Sequence, residues 1–435
     1  MKIMRSMSFL LAFTIVFGIT NAVAQLTVEE VNLGDGALAR YRAKTAGPVS
    51  HIGFLAIHRT GDYRNHQSTT ELANRGFGTL GIRTRFGNSE AAVDWELIAL
   101  DIRNGIRFLK DVKGHTHVIL IGHSGGGPST SYFQAVAENG PSYCQGPKKL
   151  TECPFTGAEF TAADRANGIV FADAHPGNTI NRLRSLNASV VNEDQPFGPG
   201  NKNRDPFSEA NGFNPDGDSV FSDQFVDNYS KAQSRRMNGL IEDALKIRRE
   251  IKRGKRDPAN NAFVLVRDSA RLSDFSTGVH RGTLAPRKLL KDDGSIDDTQ
   301  VVNTVRVPDP GNKQDDEEDT QNLTITSFLS ANAIRSNDSL DDIDWCSSNN
   351  STVCAVREIS VPILVMAMQG HYFIRDGEEI YEESASADKD FAVVEGATHN
   401  LGNCPACAAF HGTGPYTNVP LNLWDYVADW TNARF

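Results

Sequence analysis

One serine stands where a short apolar run meets a glycine-rich turn. The turn is Gly122-His123-Ser124-Gly125-Gly126, it follows the apolar residues 118–121, and Pro128 falls in the first turn of the helix expected after it. A serine hydroxyl is a poor nucleophile unless it projects clear of the backbone beside a base. A sharp strand-to-helix turn projects it in this way and leaves no room for flanking side chains, hence the glycines. The pattern predicts that Ser124 is a catalytic nucleophile.

A histidine that could be the matching base lies near the other end of the chain. His399 belongs to the loop Glu395-Gly396-Ala397-Thr398-His399-Asn400, which follows the apolar residues 391–394. A neutral imidazole can accept the serine proton and return it to a leaving group. Because His399 follows what counts as the last strand of the core, we predict that it is the catalytic base for Ser124.

These two segments resemble the α/β-hydrolase superfamily. The matching residues are VILIGHSGGG at 118–127 and VVEGATHN at 393–400, and the resemblance covers about 49–177 and 359–435. It implies the α/β-hydrolase fold, a mostly parallel eight-stranded sheet with helices on both faces. It also implies a triad in the chain order serine, acid, histidine, together with an oxyanion hole.

Two backbone N–H groups form the oxyanion hole that the resemblance implies. Gly125 supplies the first, at the positive end of the helix that follows Ser124. The second comes from the loop after the third strand, Ile57-His58-Arg59-Thr60-Gly61. The candidates are the N–H groups of Arg59 and Thr60, with Arg59 preferred. We interpret His58 as a residue that shapes this loop rather than as a second base.

The acid of the triad is missing from the position where the resemblance puts it. That position reads Met368-Gln369-Gly370-His371-Tyr372, and no carboxylate follows until Asp376. Some α/β-hydrolases, lipases among them, carry the acid one strand earlier, where this chain has Asp173. From there Asp173 could accept a hydrogen bond from the Nδ1–H of His399. We predict Asp173 as the acid, with Asp376 and Glu378 as alternatives.

Strands that alternate with helices have to position these residues. Short apolar runs and helical periodicity alternate through 49–177, stop, and resume through 359–435. This alternation predicts a mostly parallel sheet covered on both faces. The intervening residues have a different composition and sit where this architecture usually carries a lid. The predicted organisation is therefore a core formed by 25–177 and 359–435, and a large cap or lid insertion, 178–358.

The first residues have the pattern of a secretory signal peptide. Lys2 and Arg5 give a positive start, residues 9–19 are apolar, and Ala22-Val23-Ala24 supplies the small residues of a cleavage site. We predict that residues 1–24 are a signal peptide and that the mature protein is secreted or periplasmic. No later stretch is apolar enough to span a membrane.

Six cysteines fall into three close pairs, which an oxidising compartment would join as local disulfides. The pairs are Cys144 with Cys153, Cys346 with Cys354, and Cys404 with Cys407. The Cys404-Pro405-Ala406-Cys407 step also has the form of a redox or metal motif. A redox motif should open a helix after a strand, and a zinc site needs a second pair at suitable spacing. Neither context is evident, so a structural disulfide is preferred.

Composition and charge limit the classes of partner. The chain has 435 residues, 39% of them hydrophobic and 23% charged, with a formal net charge of −10. This negative charge argues against nucleic-acid binding. The predicted function is hydrolysis of a carboxylic ester or lactone, small or polymeric, with no metal and no organic cofactor. The alternatives are an amide or carbon–carbon bond hydrolase on the same triad and a catalytically silent binding module. The oligomeric state is not predicted.

Overall fold

The structure is a computed structural model that describes residues 25–308 and 320–435. The predicted signal peptide lies outside the described residues. Within them the chain forms sixteen strands: β1 Leu26–Gly34, β2 Ala37–Lys44, β3 Ile52–His58, β4 Gly78–Arg83, β5 His117–Ser124, β6 Gly168–Ala174, β7 Ala262–Leu265, β8 Gly282–Pro286, β9 Lys288–Leu290, β10 Ile296–Asp297, β11 Val301–Asn303, β12 Gln321–Thr324, β13 Ser336–Asp338, β14 Asp342–Ile343, β15 Ile363–Met368 and β16 Lys389–Val394.

The same residues form eleven α-helices: α1 Gln67–Asn74, α2 Ile98–Arg107, α3 Gly126–Asn139, α4 Asn178–Ser185, α5 Asp223–Lys252, α6 Leu272–Phe275, α7 Ile325–Ser327, α8 Thr352–Val356, α9 Ile374–Glu383, α10 Pro405–His411 and α11 Val419–Asn432. No helix in the described part of the chain is long and apolar enough to cross a membrane.

One large sheet organises the molecule. Its strand order is β1-β2-β4-β3-β5-β6-β15-β16-β9-β10. The strands from β4 to β9 in this order run parallel to one another, whereas β2 is antiparallel to both β1 and β4, and β10 is antiparallel to β9. The order and directions of the first eight strands are those of the α/β-hydrolase fold, so the predicted fold class is confirmed.

Apolar residues on both faces of the central strands hold this sheet between two layers of helices. Along β5, Leu120 belongs to the apolar cluster under α2, α3, α8 and α9, whereas Ile119 and Ile121 belong to the cluster under α1 and α11. Successive residues of a strand point to opposite faces, which is why a continuous apolar run was the correct indication of a strand buried on both sides.

The sheet has ten strands, and the expected count of eight was wrong. The two additional strands, β9 and β10, come from the 178–358 segment. β9 pairs in parallel with β16, and its Leu289 and Leu290 are buried there. A three-residue strand inside a polar loop is too short to show a recognisable period, so the sequence did not reveal it.

The rest of the 178–358 segment packs beside the core. Its longest element, α5, begins at Asp223 behind an N-cap in which the Ser222 side chain accepts from the N–H of Phe225. Buried ion pairs join the segment to α9 of the core, with 2.7 Å between Arg184 Nη1 and Asp376 Oδ1. A second pair joins Arg287 Nε to Glu378 Oε1 at 2.8 Å.

The three predicted cysteine pairs are confirmed as disulfides. Their Cα–Cα distances are 5.6 Å for Cys144–Cys153, 5.2 Å for Cys346–Cys354 and 5.2 Å for Cys404–Cys407. The Cys404–Cys407 bridge lies at the start of α10, directly after the loop that carries His399.

Candidate active site

The turn between β5 and α3 holds Ser124 in a strained backbone conformation. Its φ is +55°, a left-handed value that non-glycine residues rarely adopt. A Cβ on Gly122 would lie 2.6 Å from Thr130 Oγ1, and one on Gly126 would lie 2.2 Å from the carbonyl oxygen of Ile57. The glycines around Ser124 are therefore a steric requirement, as the sequence pattern suggested.

His399 and Asp173 meet Ser124 at the carboxyl ends of their strands. The Nε2 of His399 lies 3.0 Å from Ser124 Oγ, and its Nδ1 lies 2.6 Å from Asp173 Oδ2. A carboxylate can only accept, so Nδ1 of His399 carries the proton and Nε2 is free to accept from the serine. The three residues named from the sequence thus form one continuous hydrogen-bonded chain.

Asp173 is held as a buried anion at the end of β6. Burial alone would raise the pKa of its carboxyl, but the neighbouring imidazoles of His371 and His399 outweigh burial and lower that pKa well below its usual range. The other carboxylate oxygen accepts from the backbone N–H of Met368 at 3.2 Å. Asp173 itself has a φ of +46°.

The two alternative acids face another way. Asp376 pairs with Arg184, and Glu378 accepts from Arg287 and from the backbone N–H of Leu284 at 2.6 Å. Both carboxylates lie on α9 and point toward the 178–358 segment. Of the three candidate acids, Asp173 contacts His399.

Two histidines that the sequence argument gave no catalytic role complete the cluster. His371 Nδ1 lies 2.7 Å from Asp173 Oδ2, and its ring stacks on that of His399 with 4.4 Å between centroids. His175 Nε2 lies 3.1 Å from Ser124 Oγ. A usable signal did exist, because His175 follows Asp173 by two residues at a strand end.

The side chains of His123, Tyr63 and His66 form a hydrogen-bonded group next to the His399 loop. His123 Nε2 lies 2.7 Å from the carbonyl oxygen of His399 and donates to it. On its other side, His123 Nδ1 lies 3.0 Å from both the Tyr63 hydroxyl and His66 Nε2. Burial lowers the pKa of His66 to about 4 and lowers that of His123 well below its usual value, which favours the neutral form of both rings.

The region predicted to form the oxyanion hole is built around His58. The N–H groups of Thr60 and Gly61 donate to His58 Nδ1 at 3.2 Å and 2.8 Å. The Arg59 guanidinium pairs with Glu90 at 2.9 Å, and its Nη1 would be 2.5 Å from a Cβ on Gly125. The N–H of Thr60 is therefore engaged within its own loop, while Arg59 stands next to Gly125.

Asp173, His371 and His399 also form a group that could hold a metal ion, because one donor atom from each lies within 4.8 Å of the others. The contact of His399 Nδ1 with Asp173 Oδ2 at 2.6 Å is a hydrogen bond, whereas His371 Nδ1 lies 2.7 Å from the same oxygen without hydrogen-bond geometry. The hydrogen bond between His399 and Asp173 is the one described above for the candidate triad.

Comparison with known proteins gives structural similarity alone. No protein-family model matches the chain, and no curated protein matches it. Among solved structures it is similar to the siderophore hydrolase EstB from Aspergillus fumigatus, with 10% identity, a TM-score of 0.46 and coverage of 94% of this chain and 98% of that one. It is also similar to a proline iminopeptidase from Mycobacterium smegmatis, with 11% identity, a TM-score of 0.38 and coverage of 94% and 98%. Brefeldin A esterase, a bacterial homologue of human hormone-sensitive lipase, gives 11% identity, a TM-score of 0.38 and coverage of 97% and 81%. The assignment of an α/β-hydrolase fold rests on the strand order of this chain.

Proposed function

We propose that the protein is a serine hydrolase that cleaves a carboxylic ester or lactone through an acyl-enzyme on Ser124. The observation that supports this most directly is the chain of contacts from Asp173 Oδ2 to His399 Nδ1, at 2.6 Å, and from His399 Nε2 to Ser124 Oγ, at 3.0 Å. A serine, a base within hydrogen-bond reach and a buried carboxylate that orients the base are the parts this chemistry needs.

In the first half-reaction, Ser124 Oγ bonds to the substrate carbonyl carbon while its proton passes to His399 Nε2. The carbonyl π electrons move to the oxygen, which the backbone N–H groups of Gly125 and Arg59 would receive. When the C=O bond forms again, the bond to the leaving alkoxide breaks, and His399 gives that oxygen its proton. Asp173 remains ionised and balances the charge of the imidazolium.

In the second half-reaction, a water molecule takes the place of the alcohol. His399 accepts a proton from the water as its oxygen bonds to the acyl carbon, and the bond between that carbon and Ser124 Oγ then breaks. Oγ recovers the proton from His399, and the carboxylic acid leaves. The cycle needs no cofactor.

The 178–358 segment would act as a cap over this site in the secreted protein. Arg271 of this segment lies over the ring of Tyr372, with 4.8 Å from its guanidinium carbon to the ring centroid. Tyr372 is next to His371, whose ring stacks on that of His399. A cap that reaches the residues beside the base could shape the part of the site that selects the substrate.

Labelling with a fluorophosphonate probe tests the assignment of the nucleophile. We expect the folded wild-type protein to be labelled and Ser124→Ala to lose the label. The matched control is Ser131→Ala, a buried serine on α3 whose hydroxyl donates to the carbonyl oxygen of Gly127. This control should label like the wild type. An unlabelled wild type, or a labelled Ser124→Ala, would contradict the proposal.

The bond class is tested separately, with a panel of acyl esters of increasing chain length, lactones and amides under identical conditions. We expect turnover of esters or lactones that disappears in Ser124→Ala. Turnover restricted to amides would retain the nucleophile but refute the proposed substrate class.

A further inference from the structure

The hydroxyl of Ser124 contacts two histidines instead of one. His399 Nε2 lies 3.0 Å from Oγ, and His175 Nε2 lies 3.1 Å from the same atom. The rings of the two histidines are nearly parallel, with 6.2 Å between centroids and 16° between planes. The triad chemistry described above uses His399 alone and leaves His175 without a role.

When His399 is the neutral base of the proposed mechanism, one arrangement of the protons in this group satisfies every contact. His399 Nδ1–H donates to Asp173, so His399 Nε2 must accept the serine proton. A hydroxyl donates only once, so His175 Nε2 cannot also accept from it. The contact between His175 and Oγ therefore requires an N–H on Nε2 of His175, which leaves Nδ1 of that ring unprotonated.

The surroundings of His175 agree with this tautomer. Its Nδ1 is buried and has no hydrogen-bond partner among the described residues, and an acceptor nitrogen costs less there than an unsatisfied N–H would. Burial, followed by the positive charge of Arg59, lowers the pKa of His175 well below the usual histidine value. Both effects favour the neutral form of the ring, which carries one N–H and one acceptor nitrogen.

The backbone fixes the position of this ring relative to Ser124. The N–H of His175 donates to the carbonyl oxygen of Ser124 at 3.0 Å. The carbonyl oxygen of His175 accepts from Thr352 Oγ1 at 2.7 Å, and its ring packs edge-on against Phe373, with 5.0 Å between centroids. A donor held in place before the reaction does not have to reorganise during it.

We propose that His175 is a further catalytic residue, whose Nε2–H donates to Ser124 Oγ and stabilises the negative charge that develops there during attack. This inference rests on the proposed function. As Oγ bonds to the carbonyl carbon, its own proton leaves for His399 Nε2, and the proton on His175 Nε2 stays where it is. His175 is thus a permanent donor, and His399 is the group that exchanges a proton.

Three substitutions separate a donor from a base and from a packing residue. The side-chain amide of His175→Gln reaches the place of Nε2, the amide of His175→Asn reaches only the place of Nδ1, and His175→Leu has no donor. We expect His175→Gln to keep kcat and the rate of fluorophosphonate labelling within about fivefold of wild type, and the other two to lose about ten- to a hundredfold. Their pH profiles should keep the wild-type limbs, because the base is unchanged.

Nitrogen-15 NMR of histidine-labelled wild-type protein supplies a test that needs no substitution. We expect His175 to be neutral with its proton on Nε2 across neutral pH, and this N–H signal to shift when Ser124 is phosphonylated. Thermal unfolding of each variant separates a loss of packing from a loss of the donor. If His175→Leu does not fold, the comparison of His175→Gln with His175→Asn and the NMR result still test whether His175 Nε2 is a hydrogen-bond donor to Ser124.

Some outcomes would overturn the inference while leaving the proposed function intact. A folded His175→Gln that is as slow as His175→Leu would indicate that His175 acts as a base rather than as a donor. Near-wild-type rates in both His175→Asn and His175→Leu would show that His175 has no role in catalysis. A proton on Nδ1 would contradict the hydrogen bond itself. Failure of the proposed nucleophile would look different, because the wild-type protein would then not label at all, and failure of the proposed bond class would appear in the substrate panel.

Discussion

At the scale of single residues, one carboxylate oxygen of Asp173 contacts both histidines beside it. Its Oδ2 is the partner of both His399 and His371, at 2.6 Å and 2.7 Å. In Asp173→Asn the side chain can present an N–H to His399 and favour the wrong imidazole tautomer. We expect kcat to fall by about 10⁴, the effect known from the serine-protease triad.

Asp376→Asn is the comparison for this prediction. It breaks the buried pair with Arg184, so we expect a lower midpoint of thermal unfolding. The kcat per folded molecule should change far less than in Asp173→Asn. Steady-state kinetics on both variants, corrected for the folded fraction, test the ranking, and near-wild-type turnover by Asp173→Asn would make our choice of acid wrong.

Glu96 links stability to pH. Burial raises the pKa of its carboxyl to about 7, while its Oε1 accepts from Thr151 at 2.6 Å and from Asn349 at 3.0 Å. The folded state holds this proton more tightly than the unfolded chain. The contribution to stability is therefore complete below the unfolded pKa and is lost as the pH rises through about 7.

In Glu96→Gln the side chain stays neutral, so this pH dependence should disappear. We expect the variant to unfold a few degrees above wild type at about pH 8 and near it at about pH 5. Glu209→Gln, at an exposed position, is the control and should match the wild type at both. An equal shift of Glu96→Gln at the two pH values would contradict the assignment.

At the scale of elements, the sequence predicted those whose patterns are local. The apolar run before Ser124 and the small residues after it define β5, the turn and α3 within a few positions. The three-residue β9 has no such pattern, because its stability comes from pairing with β16, which lies about a hundred residues away in the sequence.

The same distinction between local and long-range patterns explains which residues of the candidate site the sequence predicted. Ser124 and His399 stand in recognisable motifs, and Asp173 was chosen by its place at a strand end. The contacts of His175 and His371 depend on which strands are neighbours, since β6 lies between β5 and β15. Side-chain direction at these strand ends could not be read from residue spacing alone.

The loop that carries His399 is closed at its base by backbone contacts, directly before the Cys404–Cys407 disulfide. The N–H of Cys404 donates to the carbonyl oxygen of Gly396 at 2.9 Å, and Ala397 forms a bridge with Asn403. Breaking the disulfide in the double variant Cys404→Ser/Cys407→Ser should let this loop shift. We expect kcat/KM to fall by about tenfold or more, because small displacements of a base are costly.

The double variant Cys144→Ser/Cys153→Ser is the matched control, since its bridge lies in the loop after α3. We expect it to lower the midpoint of thermal unfolding modestly and to leave kcat/KM unchanged. Equal losses of activity in the two double variants would argue against a special role for the Cys404–Cys407 bridge.

At the scale of the whole molecule, the 178–358 segment is integrated into the core. It supplies β9 and β10 to the central sheet, and Arg184 and Arg287 form buried ion pairs with α9. Residues of α5 and of α2 belong to the same apolar cluster. We therefore expect one cooperative unfolding transition, with this segment and the core melting together.

Calorimetry and tryptophan fluorescence can test this. Trp345 lies in the 178–358 segment, whereas Trp95, Trp424 and Trp430 lie in the core. Fluorescence of the wild type and of Trp345→Phe should give coincident melting profiles after normalisation. Two resolved calorimetric transitions, or an early transition seen by Trp345 alone, would show that the 178–358 segment unfolds independently of the core.

The left-handed backbone at Ser124 has an evolutionary consequence. Glycine adopts a φ of +55° without the cost of about 1–2 kcal/mol that other residues incur. Some serine codons become glycine codons through one nucleotide change. In a lineage that no longer needs the activity, that mutation would be favoured by folding stability as well as tolerated. If Ser124 is the proposed nucleophile, selection for its chemistry opposes that substitution.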